Sequence, residues 1–67
     1  MSAQAEFYSA RASEARSDAA MANLDNVRDR CLRAAEAWEA MAARAHRSDA
    51  MRERQAAEKA AQVMVQG

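Results

Sequence analysis

The stretch VRDRCLRAAEAWEAMAARA, residues 27–45, holds the only tryptophan of the chain and its clearest periodicity. Val27, Cys31, Ala34, Trp38, Met41 and Ala45 follow one another at alternating steps of four and three, which lays them along one stripe of an α-helix. A stripe of that kind is a seam that a second helix can cover.

A covering helix is available immediately upstream. Residues 3–22 contain neither Gly nor Pro, and Ala, Glu, Arg and Gln, all good helix formers, dominate them. Ser2 is placed to cap this helix, and Glu6 suits the positive end of its dipole. Ala5, Tyr8, Ala12, Ala15, Ala19 and Ala22 repeat at steps of three and four, so it too carries a stripe, made almost wholly of small side chains. Between the helices Asn23-Leu24-Asp25-Asn26 reads as a turn at residues 23–26. Asn23 can adopt the left-handed conformation that closes a helix, Leu24 can tuck under the turn, and Asp25 or Asn26 can cap the helix that follows.

So short a connection predicts antiparallel neighbours. Facing residues in an antiparallel hairpin have a constant sum of residue numbers. The pairs Ala22/Val27, Ala19/Cys31, Ala15/Ala34, Ala12/Trp38, Tyr8/Met41 and Ala5/Ala45 hold that sum to within one. Bulky groups on the second helix thus meet alanines on the first, as close packing requires, with Tyr8/Met41 the exception near the open end.

Past Ala45 the pattern continues as His46, Ala50, Ala57, Ala60 and Met64, shifted by one residue. A four-residue insertion in a heptad run does this by unwinding the supercoil locally. Ser48 or Asp49 could instead cap a separate third helix that folds back on the others. The absence of Gly and Pro before Gly67 favours a continuous second helix, with any kink near Arg47–Asp49. The expected fold is therefore all-α: one domain over residues 1–67, an antiparallel helical hairpin with helices at 3–22 and from 27 through 46 to about 65. The tail of the second helix would project beyond the first and invite assembly into a helical bundle.

Composition points to assembly as well. The chain has 67 residues, and a domain of this size buries only about 60% of the surface that its unfolded form exposes. Alanine supplies most of the 51% hydrophobic residues, with only two leucines and no isoleucine. Apolar burial and conformational entropy nearly cancel in so small a core, so the folded state is expected as a homo-oligomer, a dimer or higher, or bound to a protein partner. Leu32, Ala35 and Ala42 lie beside the seam and widen the apolar face, and Met51, Val63 and Met64 lie on the projecting tail. These six residues are the expected interface.

Ten basic and ten acidic residues leave no net charge, which argues against a general polyanion binder. Nine of the ten basic residues are nevertheless arginine, and Arg30, Arg33, Arg44 and Arg47 form a stripe flanking the seam. Such a stripe could contact phosphates along a nucleic acid. The plainer reading is that these arginines cover the seam with their aliphatic stems and pair with acids, Asp29 with Arg33 for instance, or with Glu6, Glu14 and Asp18 on the neighbouring helix.

No catalytic, cofactor-binding or metal-ligating constellation is legible. Cys31 falls on the buried stripe, where a thiol acts as a small hydrophobe, and His46 is roughly four turns away on the same helix, too far to share a metal with it. A catalytic carboxylate pair needs a cleft that two helices do not make, so an enzyme is not expected. Trp38 should pack against Ala12 and Ala15, with a partner-binding anchor as its alternative role. One cysteine, no secretory leader and no membrane-spanning run make the cytoplasm the default location, and three apolar residues at 63–65 are too few for stable insertion into a membrane.

Three segments, Phe7-Tyr8-x-x-Arg11-Ala12-x-Glu14-Ala15-Arg16, Leu24-x-Asn26-Val27-Arg28-x-Arg30 and Ala34-Ala35-x-Ala37-Trp38-x-x-Met41-Ala42, together resemble short uncharacterised bacterial alanine-rich helical-hairpin proteins. That resemblance spans roughly two thirds of the chain and implies a hairpin, with no activity or ligand attached. The expected function is a cytoplasmic, non-enzymatic assembly or adaptor module. A small nucleic-acid-binding regulator using the Arg stripe is the alternative.

Overall fold

The computed structural model describes residues 3–66. Two helices account for nearly all of them, α1 (Ala3–Met21) and α2 (Asp25–Gln66), joined by a short turn and packed side by side as an antiparallel hairpin. The architecture is the one the two stripes imply. α2 starts two residues earlier than the periodicity suggests, and it runs without a break through Arg47, Ser48 and Asp49. Its 42 residues, at about 1.5 Å each, match the 64 Å length of the molecule, so α2 is close to straight and no third helix folds back.

The turn differs in detail from its expected form. Among the described residues no non-glycine has a positive φ, so Asn23 does not close α1 in the left-handed conformation. Instead the Ala22 amide donates to the Ala19 carbonyl at 3.3 Å, and the Arg28 guanidinium reaches back from α2 to donate to the Ala22 carbonyl, also at 3.3 Å. Arg28 thereby satisfies one of the carbonyls that a helix end leaves without a partner. Leu24, exposed rather than tucked under the turn, occupies the cap position, because its carbonyl accepts the first bond of α2 from the Arg28 amide at 3.0 Å. Asp25 then lies in the first turn, where a negative charge suits the helix dipole, and it accepts from Arg28 at 3.4 Å.

Among the described residues the core is made of alanine alone. Ala5, Ala12, Ala15 and Ala19 of α1 and Ala35 and Ala42 of α2 are the buried apolar residues. Val27, Cys31, Leu32, Trp38, Ala45 and Asp49 are half-buried around them. The seam on α2 therefore runs through Cys31, Ala35, Trp38, Ala42, Ala45 and Asp49. Two members of the expected stripe are displaced: Ala34 and Met41 are exposed, and their successors Ala35 and Ala42 take their places. The cause is size. A methyl group lets the two backbones approach closely, whereas Met41 at the centre of the seam would hold them apart. The 14 Å width of the molecule leaves no more than about 9 Å between the axes once a helix radius of ~2.3 Å is allowed on either side.

This placement predicts opposite outcomes at adjacent residues. Ala35 is 0% exposed, so Ala35→Leu wedges the helices apart and should cost roughly 1–3 kcal/mol, whereas Ala34→Leu adds an exposed side chain and should stay within about 0.5 kcal/mol. Urea unfolding followed by circular dichroism measures both, and a larger loss at Ala34 than at Ala35 would place the seam on the other stripe.

Candidate interaction surface

Side chains too large for the seam are pushed to its margins. All three aromatic residues of the chain gather on one flank of the hairpin. Tyr8 stacks on Trp38 with ring centroids 5.9 Å apart and planes at 29°. Phe7 meets Trp38 edge-on at 6.1 Å and Tyr8 at 5.8 Å. Arg11 completes the cluster, its guanidinium carbon 5.7 Å from the Phe7 centroid and 5.8 Å from that of Trp38, while Nη1 donates to Glu14 at 3.0 Å. The Gln4 amide donates to the Tyr8 hydroxyl at 3.0 Å. Edge and offset contacts of this kind contribute about 0.5–1.5 kcal/mol each, and a cation over a ring roughly 0.5–1 kcal/mol. Phe7 nonetheless remains 53% exposed and Met41 37%.

Two grooves extend this flank along the hairpin. One follows α1 and α2 toward the turn and is lined by Glu14, Asp18, Arg30, Cys31, Ala34 and Trp38, among others. The other lies toward the open end, between Gln4 and Tyr8 on one side and Met41, Arg44 and Asp49 on the other. Asp49 is mostly covered and pairs with Arg52 one turn on.

The opposite flank lacks aromatics and is lined by serines and alanines. Ser9, Ser13 and Ser17 of α1 face Glu39, Ala43 and His46 of α2 across a shallow groove. A bidentate ion pair bridges it, with Arg16 Nε and Nη2 donating to the two Glu39 carboxylate oxygens at 2.6 Å each. The hydrogen bond from Arg16 holds the Glu39 carboxyl below the ordinary glutamate range, and the same bond raises the guanidinium above its ordinary value. Both side chains are about half exposed, so water screens the pair.

The residues singled out from the sequence are not brought together as one surface. Ala35 and Ala42, expected to face a partner, are consumed by the seam with α1 because only alanine fits there. Leu32 is half-buried at the edge of that seam. Met51, Val63 and Met64 are exposed on the projecting part of α2, yet they do not share a face: Met51 follows Ala42 by nine residues, half a turn out of phase with the seam. Arg30, Arg33, Arg44 and Arg47 are all exposed, and none forms an ion pair among the described residues. Asp29 does not pair with Arg33; the arginines that do find acids are Arg11, Arg16, Arg28 and Arg52. Trp38 borders Ala15 as expected, but its ring contacts are with Phe7, Tyr8 and Arg11.

That cluster was within reach of the hairpin register. Pairing Ala12 with Trp38 puts Tyr8 one turn away on the same stripe, within the span of an indole, with Phe7 beside it.

Among the described residues no group of three or more His, Cys, Asp or Glu could hold a metal ion, and no helix is long and apolar enough to cross a membrane. No protein-family model, curated protein or solved structure matches the chain. Its function is therefore argued from its own geometry.

The Arg16–Glu39 bridge has a definite pH signature. A carboxylate whose folded-state pKa is depressed stabilises the fold above its unfolded value of roughly 4.3, and that contribution is lost as pH falls through the folded value. Thermal melts between pH 7 and pH 3 should show the parent losing stability over this acid range. Glu39→Gln should start less stable at pH 7 and lose less on acidification. Identical pH profiles for the two proteins would mean that the bridge contributes nothing to folding.

Proposed function

We propose that this protein is a non-enzymatic helical assembly module, acting in the cytoplasm through association with further copies of itself. One observation carries the reading: among its described residues the hairpin buries only alanines and leaves its bulky apolar side chains outside the core. Phe7, Leu24, Met51, Val63, Met64 and Val65 are each more than half exposed. Alanine contributes little per residue to the hydrophobic term, so a single copy is thinly stabilised, and association that covers the larger groups adds what the seam lacks. α2 supports the same reading, since every residue from Ala50 to Val65 is exposed.

A second reading, a small nucleic-acid-binding regulator, is favoured by the four exposed arginines of the stripe, which have no acidic partner among the described residues. Arg is the side chain best suited to phosphate oxygens, and unpaired guanidinium groups need not break internal ion pairs to bind them.

Light scattering at micromolar and at tenfold higher protein concentration tests the first reading. The expected mass is a multiple of 7.4 kDa that rises with concentration, and a constant monomeric mass at both would remove it. For the second, the parent should shift labelled DNA or RNA at low salt, and replacing Arg30, Arg33, Arg44 and Arg47 with Gln should abolish the shift. Absence of any shift by the parent at low salt excludes this reading.

A further inference from the structure

The aromatic flank is self-complementary in charge. Among the described residues Asp18 of α1 and Arg30 of α2 form no ion pair, although both line one groove at the same height along the hairpin. Tyr8 is likewise level with Met41 and Arg44. A two-fold axis parallel to the helices preserves height while exchanging the two helices. It therefore sets α1 of one copy over α2 of another, with every neighbouring pair antiparallel. Asp18 of each copy then lies against Arg30 of the other, and Phe7 lies over the other copy's Met41.

The other way of stacking two such flanks uses a two-fold perpendicular to the helices. Centred level with Ala37 it brings like charges together, because Arg30 and Arg44 lie seven residues on either side of that position and would be superposed. Like charges placed in contact across an interface oppose association.

We propose that a second copy of this chain docks on the flank formed by Phe7, Tyr8, Trp38 and Met41, about a two-fold axis parallel to the helices, giving a four-helix bundle closed by two Asp18–Arg30 ion pairs. Half-exposed Phe7 and half-buried Trp38 are the central anchors, aromatic groups whose remaining surface is withdrawn from water only when the second copy is in place. Arg11, already held over both rings, stays at the edge of the contact. The proposal rests on the self-association reading above and names the surface and symmetry it would use.

The test is a charge exchange read by sedimentation equilibrium. Asp18→Arg and Arg30→Asp should each raise the dissociation constant of the dimer at least tenfold, and the double variant Asp18→Arg/Arg30→Asp should restore it to within about threefold of the parent. Phe7→Ser should also yield monomers, with circular dichroism checking that the helices remain, since Phe7 lies outside the seam. A parent dimer unaffected by Phe7→Ser and by both single reversals overturns this surface while leaving self-association in force, and it directs attention to residues 63–65. A double variant as weak as the single ones overturns the axis. A parent that is monomeric at every concentration removes the surface and the assembly reading together.

Discussion

Close approach of two backbones across a line of methyl groups is the contact on which the rest of this molecule depends. Alanine has no side-chain rotamers to lose on burial, so the seam forms at the lowest side-chain entropy cost of any apolar contact. It also contributes the least buried area. Both properties follow from one choice of residue, and they explain why the fold is regular and why its larger groups are displaced. Trp38 and Tyr8 are only half-buried at a seam of this width, and they pack with Phe7 along its edge.

A uniform line of small residues says little about register, because sliding one helix past the other by a heptad exchanges one alanine for another. Three features fix it instead. The turn is too short to permit a slide, the Arg28 guanidinium ties α2 to the Ala22 carbonyl at the end of α1, and the Arg16–Glu39 bridge joins the two helices in the middle of the hairpin. The polar contacts thus contribute specificity where the apolar ones contribute closeness, and each would be insufficient alone.

The all-helical hairpin, its antiparallel order and the position of its turn were legible in the chain because all three rest on spacing and on local conformational preference, whereas the choice between a continuous second helix and a third one was left open. The identity of the stripe was legible only in part. Stepping from Cys31 by three or by four reaches Ala34 or Ala35, and hydrophobicity cannot choose between two alanines. At the next such step it chooses wrongly, since Met41 is the more apolar and Ala42 the one that fits. Steric limits on the distance between axes decide the matter, and those belong to the assembled pair of helices. The same limit turned Ala35 and Ala42 from expected partner contacts into core. The partnerships of the arginines were similarly hidden: Arg16 finds Glu39 across the flank opposite the aromatics because both lie beside the seam at compatible heights, a relation with no local signature in sequence.

The uninterrupted course of α2 carries one further consequence. A single helix here crosses from a region braced by a neighbour into one supported by its own hydrogen bonds and by the propensities of Ala, Glu, Arg and Gln. Solitary helical segments of about 12–15 residues are marginal in water, so opening free energy must decline along the one element, from the turn outward. Amide protons near Ala35 should outlast those near Ala60 by orders of magnitude in exchange with deuterium, although both sit in the same unbroken ladder of backbone bonds. The chain thus carries a gradient of firmness along a rod that is uniform in shape.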